Sequence, residues 1–299
     1  MTRQLRALLI GDGDHYLSPY LHGVANAAAR LGILTSQIGI RAPLHVIERR
    51  VVDVAPHVVF THMLLWPPPG APPVNDLLDV CVRARRLGAR VVVHDGDIKA
   101  PTRFPHDISP AVDLALVNHA HDRSAWGVET MRWPYAAFDQ DAIAPPDPRL
   151  ACSLAFAGQT GGGIYHQRTA MLASIPGVRV FGDSANTLLR TPEIAASADA
   201  VLGFGRPDVP GWVDTRVFQY IPAGAILLHD DVGGHFEPWV HFAPYEHGSV
   251  ASIRDAMDRL RRMSDSDRAA IRERGFADGQ ASHSYSARTR AVIERLGLK

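Results

Sequence analysis

The sequence predicts an α/β fold with two parallel sheets, for three reasons. Short apolar runs of the buried-strand type alternate with segments whose apolar residues recur at helical spacing. This alternation occurs in both halves of the chain, and a proline-rich segment separates them. No apolar run approaches the ~20 residues that a membrane span requires. Such alternation favours parallel sheets covered by helices, which bind ligands at the carboxyl ends of their strands.

The composition is that of a globular protein of about two domains. Its 299 residues are 46% hydrophobic, and 31 basic residues balance 31 acidic ones. Because neither charge is in excess, nucleic acid and anionic membrane surfaces are disfavoured as partners. The two cysteines, Cys81 and Cys152, lie in different halves, and the short apolar run near the start is followed at once by polar Gly-Asp-Gly-Asp. We therefore expect a cytoplasmic protein without a disulfide, a metal site or a membrane span.

The first half is predicted to contain four strands, at residues 5–10, 57–61, 90–94 and 113–118, and two helices, at 20–31 and 75–87. Polar loops follow the first and third strands. They contain the candidate catalytic residues Asp14 and His15, then Asp95 and Asp97. Each of these residues could take a proton from a hydroxyl group of a substrate, or could simply cap a turn. The first loop lacks the G-x-G-x-x-G pattern, and its carboxylates would repel a pyrophosphate, so no dinucleotide site is expected there.

Prolines between residues 131 and 148 indicate an interdomain boundary. We predict a first domain at residues 1–143, a linker at 144–150, a second domain at 151–283 and a C-terminal helix within 284–299. The segment from Met131 to Asp139 also resembles the one that precedes the hinge in many GT-B enzymes, a class of two-domain glycosyltransferases.

The second half is predicted to repeat the alternation, with strands at 152–157, 178–181, 200–204 and 225–228. A glycine-rich turn, which includes Gly158, Gly161 and Gly162, follows its first strand and precedes a helix. Glycines at a helix start let the backbone approach an anion closely, which suits phosphate. The turn is not a P-loop, because no Gly-Lys-Ser/Thr follows it. Gly182 and Asp183 follow the next strand, and Arg206, a second candidate phosphate ligand, follows the third.

The stretch at residues 215–232 combines a helix start, a turn and a buried strand. Arg216 lies in the first turn of the helix, Pro222 and Gly224 end it, and the strand leads into Asp230 and Asp231. A helix start that carries an arginine favours phosphate, and carboxylates could hold sugar hydroxyls. The stretch therefore suggests a nucleotide-sugar site. An arginine in a surface ion pair beside a polar loop would give the same sequence pattern.

The same stretch resembles the donor-site segment of GT-B glycosyltransferases, in particular their CgeB-like branch. The resemblance lies in Arg216-Val-Phe-Gln219, Ala223-Gly-Ala-Ile-Leu-Leu228 and Asp230. It continues in the helical pattern at 249–263 and in His283-Ser-Tyr285 with Arg288. One departure concerns the Glu-x7-Glu pair of retaining GT-B families, for which this chain has Gly211 and Gln219.

The resemblance implies a GT-B fold, in which two Rossmann-like domains face a cleft and the last helix crosses back to the first domain. It also implies a donor site in the second domain for a UDP-, dTDP- or GDP-linked sugar, with the nucleotide base near Gly182 and Asp183. The first domain would bind an unidentified acceptor: a small molecule, a polysaccharide or a protein. No cofactor is implied. A nucleotide-sugar 2-epimerase and a non-catalytic sugar-binding or nucleotide-binding protein remain as alternatives.

Overall fold

The computed structural model describes residues 4–11, 19–62, 64–65, 67–95, 107–117, 127–133, 136–160, 166–182, 187, 189–205 and 213–298, with only the backbone described at 19 and 95. They form two compact units. The first comprises Met1–Tyr135 with Tyr285–Lys299, and the second comprises Ala136–Ser284. Each unit is built on its own parallel sheet, so the predicted α/β class is confirmed.

The sheet of the first unit has the strand order β2-β1-β3-β4-β5-β6, and every neighbouring pair is parallel. Its strands are β1 (Arg6–Gly11), β2 (Leu34–Gly39), β3 (Val58–His62), β4 (Arg90–Asp95), β5 (Leu114–Val117) and β6 (Glu129–Arg132). Its helices are α1 (Pro19–Arg30), α2 (Leu44–Val54), α3 (Val74–Arg86) and, from the end of the chain, α9 (Tyr285–Arg295).

Alternate strand residues point to opposite faces of this sheet, and helices cover both faces. Val91 and Val93 of β4 pack in a core with α2 and α3, whereas His94 faces the ring of Tyr20 in α1. Helices α1 and α9 lie close together. A Cβ added to Gly23 would be 2.2 Å from the ring of Tyr285, so this contact depends on glycine.

The sheet of the second unit has the order β11-β10-β9-β7-β8 and is also parallel. Its strands are β7 (Cys152–Phe156), β8 (Val178–Val180), β9 (Ala198–Leu202), β10 (Leu227–His229) and β11 (Phe242–Pro244). Its helices are α4 (His166–Ser174), α5 (Thr191–Ser197), α6 (Thr215–Tyr220), α7 (Val250–Arg262) and α8 (Asp265–His283). One core lies between the sheet and α5 and α6, and another between the sheet and α4, α7 and α8.

Helix α8 holds the turn between α6 and β10 in place. That turn is a 3₁₀ segment at Ile221–Ala223, which ends at Gly224 with φ +83°. A Cβ on Gly279 would be 2.7 Å from the Cα of Pro222, so the two backbones are in direct contact. Arg272 of α8 is surrounded by four carbonyl oxygens and donates to each, at distances of 2.6 to 3.1 Å. Because α8 fixes this turn, it also fixes the neighbouring helix that carries Arg216.

The strands predicted at 5–10, 57–61, 90–94 and 113–118 are present as β1, β3, β4 and β5. The sequence analysis missed β2, β6, α2, α5 and β11. Strand β2 lies at an edge of the sheet, and its sequence, LTSQIG, mixes polar residues with an exposed Leu34. It therefore lacks the continuous apolar run of a strand that is buried on both faces. In the described part of the chain no helix is long and apolar enough to cross a bilayer.

Candidate functional site

Arg216 lies at the start of α6, at the edge of the second sheet where its strands end. Asp214 is the N-cap of this helix, and its Oδ1 accepts a hydrogen bond from the Arg216 backbone N–H at 3.2 Å. The Arg216 side chain folds back on the same carboxylate, with Nη1 2.9 Å and 3.0 Å from its two oxygens. Its Nε donates to the carbonyl of Ala157, just after β7, at 2.6 Å. The guanidinium therefore ties α6 to the end of a neighbouring strand.

The glycine-rich turn after β7 begins against this guanidinium. A Cβ on Gly158 would be only 1.7 Å from Arg216 Nη2, and its φ of +153° also favours glycine. Arg216 Cζ lies 4.9 Å from the ring centroid of Phe156, and Arg168 Cζ lies 5.7 Å from the same centroid. Two guanidinium groups thus lie near one aromatic ring, at the start of the turn. Such a concentration of positive charge favours an anion.

His229, the last residue of β10, also contacts the carboxylate of Asp214. Its side chain is fully buried, and Nε2 is 3.4 Å from Asp214 Oδ2. On the other side of the ring, Nδ1 lies 3.2 Å from Asp230 Oδ1 and accepts a hydrogen bond from the Asp231 backbone N–H at 3.0 Å. Arg216, Asp214, His229 and Asp230 therefore form a chain of alternating basic and acidic side chains, which we call the charge chain.

Asp230 ends the charge chain and is nearly buried. Its Oδ1 accepts from the Gly205 backbone N–H at 2.6 Å, and its Oδ2 contacts the half-exposed ring of His247. A Cβ on Gly205 would be 2.8 Å from Asp230 Oδ1, and one on Gly203 would be 2.3 Å from the His229 ring. Glycine at these two positions lets the polar side chains of β10 lie directly across the end of β9.

The side chains of the charge chain stabilise one another's charged forms although they are buried. Burial would raise the pKa of Asp214, but Arg216 and His229 hold it well below its usual range. The pKa of Asp230 is lowered to about 2, because its contacts with His229 and His247 outweigh burial. For His229, burial favours the neutral ring, but hydrogen bonds with Asp214 and Asp230 raise the pKa above its usual value. Both carboxylates are therefore ionised at neutral pH.

Solved structures of glycosyltransferases share this fold over nearly their whole length. T4 phage β-glucosyltransferase, solved with UDP and Mn²⁺, is 10% identical and superposes with a TM-score of 0.59 over 97% of this chain and 99% of its own. An α-glucosyltransferase bound to UDP and DNA is 9% identical, with a TM-score of 0.65 over 97% of this chain and 100% of its own. A glycosyltransferase from Rickettsia africae is also 9% identical, with a TM-score of 0.59 over 98% of both chains.

Residues 166–294 match the family model described as glycosyl transferase-like. No curated protein gives a significant match to the sequence. The matched region runs from the start of α4 into α9 and includes the whole charge chain. Residues 166–294 therefore form a glycosyl transferase-like domain, and the chain has the GT-B fold. The family resemblance drawn from residues 216–230 is thereby confirmed, and so is the pair of Rossmann-like domains.

The second unit brings several predicted donor-site residues together. Gly158, Arg216 and Asp230 lie at the carboxyl edge of the second sheet. Gln219 is half-buried on the same helix as Arg216, and Asp231 is exposed, with its carboxylate accepting from the Gly233 backbone N–H at 2.7 Å.

Gly182 follows β8 with φ +70°, and nothing lies within 4 Å of a Cβ built there. Gly224 lies elsewhere, because it precedes β10 and is therefore at the opposite edge of the sheet from Asp230. Its carbonyl accepts from Arg272, and a Cβ there would be 2.8 Å from Ile143. These contacts and its φ of +83° give Gly224 the role of a turn residue, while its assignment as a donor contact stays a prediction.

The other candidates lie outside the described residues or at their margin. Of the predicted catalytic residues, Asp97, His15 and Asp14 are not described, and Asp95 is described only as the last backbone position of β4. Four donor-site candidates also lie outside the described residues: Gly161, Gly162, Asp183 and Arg206. Among the described residues, no group of three or more His, Cys, Asp or Glu side chains could hold a metal ion.

The sequence analysis missed His229 as part of the site. The available signal was its place between a four-residue apolar run and two aspartates, since a histidine in the last position of a buried strand needs polar partners. Asp214 is the N-cap of α6, a function that its residue type and its place before Arg216 suggest. Its second function, as the carboxylate shared by Arg216 and His229, depends on strand order and could not be deduced from spacing.

Proposed function

We propose that this glycosyltransferase moves a sugar from a nucleotide-sugar donor, bound by the second unit, to a hydroxyl of a separate acceptor. The single observation that supports this most is the placement of Arg216 against Gly158. Within the described residues, Nε and Nη1 of Arg216 are fully used, but Nη2 has no hydrogen-bond partner. A donor nitrogen at a glycine, at the carboxyl edge of a parallel sheet, is suited to a phosphate oxygen.

In the proposed reaction the bond between the anomeric carbon and the phosphate oxygen breaks, and the acceptor oxygen bonds to that carbon. Negative charge grows on the departing nucleoside diphosphate, where Arg216 would stabilise it. Arg206, the glycines of the turn and Gly182 and Asp183 complete our proposed donor site. With Arg216 and Arg206 beside the phosphates, a divalent metal would be unnecessary. We therefore propose a metal-independent reaction with a UDP-, dTDP- or GDP-linked sugar and no cofactor.

The sugar and the acceptor complete the proposal. Asp230 would accept hydrogen bonds from sugar hydroxyls, as would Asp231. The proton of the acceptor hydroxyl would pass to a base of the first unit, for which we retain Asp97, Asp95, His15 and Asp14. We propose a small molecule, a polysaccharide or a protein as the acceptor. The similar β-glucosyltransferase is described as a DNA modifying enzyme, but the balanced charge of this chain does not favour DNA as its acceptor.

Binding of UDP, GDP, dTDP and ADP tests the donor site. Each nucleotide is added at millimolar concentration to the folded protein in EDTA and, separately, with Mn²⁺, and thermal unfolding is followed. We expect at least one nucleotide to stabilise the protein in EDTA, by about 2.7 kcal/mol at 100 times its dissociation constant. Stabilisation that requires Mn²⁺ would contradict metal independence, and no stabilisation under either condition would contradict the donor site.

A further inference from the structure

The Nδ1 atom of His229 has two competing partners, and they require opposite protonation states. The backbone N–H of Asp231 points at Nδ1 from 3.0 Å, which requires a lone pair on that nitrogen. Asp230 Oδ1 lies 3.2 Å from the same atom, which is favourable only if the nitrogen carries a proton. A neutral ring therefore bonds Asp231 N–H, whereas an imidazolium bonds the carboxylate of Asp230.

The position of the ring itself is fixed in both states. His229 is fully buried, and its Cδ2 is so close to β9 that a Cβ on Gly203 would lie 2.3 Å away. Its Nε2 faces Asp214 Oδ2 at 3.4 Å. Protonation can therefore change the partner of Nδ1 without turning the ring away from Asp214.

We propose that His229 is a positioning residue of the donor site, whose imidazolium form orients Asp230 and favours a nucleoside diphosphate at Arg216. The proposal rests on the proposed function, in which Arg216 contacts phosphate. With a neutral ring the charge chain carries one net negative charge, and with an imidazolium it carries none. Because a phosphate beside Arg216 is repelled by the net negative charge, it should bind more tightly when His229 is protonated.

The groups around the ring favour its protonation. Carboxylates face both of its nitrogens, and their hydrogen bonds raise the pKa of His229 in spite of burial. The cation Arg216 pairs with Asp214, so that carboxylate lies between the guanidinium and the ring, and Arg168 also acts on Asp214. Among the described residues, the charged and titratable groups that face this region are Asp214 and Arg216 at the start of α6, Arg168 of α4, Asp230 and Asp231 of its own loop, and Tyr245 and His247 after β11.

The sign of the effect follows from linkage. If an anion favours the imidazolium, binding raises the pKa of His229, and affinity must then rise as pH falls through that range. Coupling between two sites typically changes affinity by about 5- to 150-fold. We therefore expect the dissociation constant of the wild-type protein to increase by at least about fivefold from pH 6.5 to pH 9.5 beyond the change in a variant without the imidazole.

The experiment is calorimetric titration of wild type, His229→Gln and His241→Gln across this pH range. The probe is whichever of UDP, GDP, dTDP and ADP stabilises the wild type most. Glutamine can still donate to Asp214 but has no charge to gain. His241 is a matched control, because it is nearly buried in the same unit and paired with Asp278 at 2.8 Å, outside the charge chain. The nucleotide's own ionisation is common to all three proteins and cancels.

We expect steep pH dependence and proton uptake in wild type and His241→Gln, and a flatter profile in His229→Gln. Equal profiles in all three would overturn the inference while leaving the donor site intact, whereas no binding to wild type would contradict the donor site itself. A second measurement needs neither a variant that folds nor a nucleotide. NMR titration of the histidine Cε1–H signals should show one buried ring with a pKa above 6.5, and its absence would also overturn the inference.

Discussion

Replacing Arg216 with alanine should destabilise the protein as well as weaken nucleotide binding. The side chain of Asp214 is 1% exposed, and Arg216 supplies two of its contacts, at 2.9 Å and 3.0 Å. Without the guanidinium, the buried carboxylate loses its two closest charged contacts and keeps the longer one to His229, at 3.4 Å. An ionised group that is buried without adequate pairing is among the most destabilising features that a substitution can create.

Breaking a buried ion pair by removing one partner costs about 3 to 5 kcal/mol. For a unit of about 150 residues, 1 kcal/mol corresponds to about 2 to 4 °C in Tm, so we expect a decrease of about 6 to 20 °C. Arg216→Lys keeps the positive charge and should lose less. Adding Asp214→Asn to Arg216→Ala removes the stranded charge, while its amide oxygen can still cap α6, so the double variant should recover much of the loss.

Thermal unfolding is measured for the wild type, Arg216→Ala, Asp214→Asn and the double variant. These four proteins form a cycle that isolates the interaction of the two side chains. A coupling energy of about 1 to 3 kcal/mol is expected for residues in one ion-pair network. If Arg216→Ala unfolds within about 2 °C of the wild type, or if Asp214→Asn gives no recovery, then the pair does not stabilise the fold. For turnover, Arg216→Lys is the more informative variant, because the protein should remain folded.

Three further predictions follow from close contacts and charges. Gly158→Ala should displace the Arg216 guanidinium, lower Tm because the Asp214 contact is disturbed and the φ is strained, and lower nucleotide affinity at least about tenfold by calorimetry; unchanged affinity would contradict it. Gly279→Ala should destabilise the protein by about 1 to 3 kcal/mol in urea unfolding, more than Gly275→Ala, although alanine favours a helix. Because the pKa of Asp230 is lowered in the folded state, its stabilisation is complete above about pH 4 and lost toward pH 2, so Asp230→Asn should flatten the acid limb of stability against pH.

The central strands and the helix at Arg216 could be predicted because local sequence determines them. Strands β1 and β4 contain continuous apolar runs, at residues 7–10 and 91–93, and Asp214 before Arg216 is a helix start that the structure confirms. The edge strands β2, β6 and β11 were missed for the converse reason. Strand β11 has only three residues, Phe242–Pro244, and lies at the edge beside β10, so its conformation depends on a neighbour and not on its own pattern.

The charge chain could not be predicted, because its contacts depend on the order of strands in the sheet. Arg216 and Ala157 are 59 residues apart, and their hydrogen bond forms because α6 begins beside the end of β7. Gly205 and Asp230 are 25 residues apart and meet because β9 and β10 are neighbours. A sequence shows which residue follows each strand, but parallel strands bring these residues together in an order that the crossovers determine.

The glycines of the second unit show how the fold and the proposed site depend on each other. Gly158, Gly203 and Gly205 follow β7 and β9, and at each one a charged or titratable side chain occupies the space that a Cβ would fill. Those side chains are Arg216, His229 and Asp230, which belong to the charge chain. Since the backbone N–H groups at this edge then lie close to buried charges, the region is polar and rigid before any ligand arrives. A site with its charges already oriented loses less free energy to reorganisation on binding, so this edge of the sheet is suited to stabilise charge that develops on a leaving phosphate.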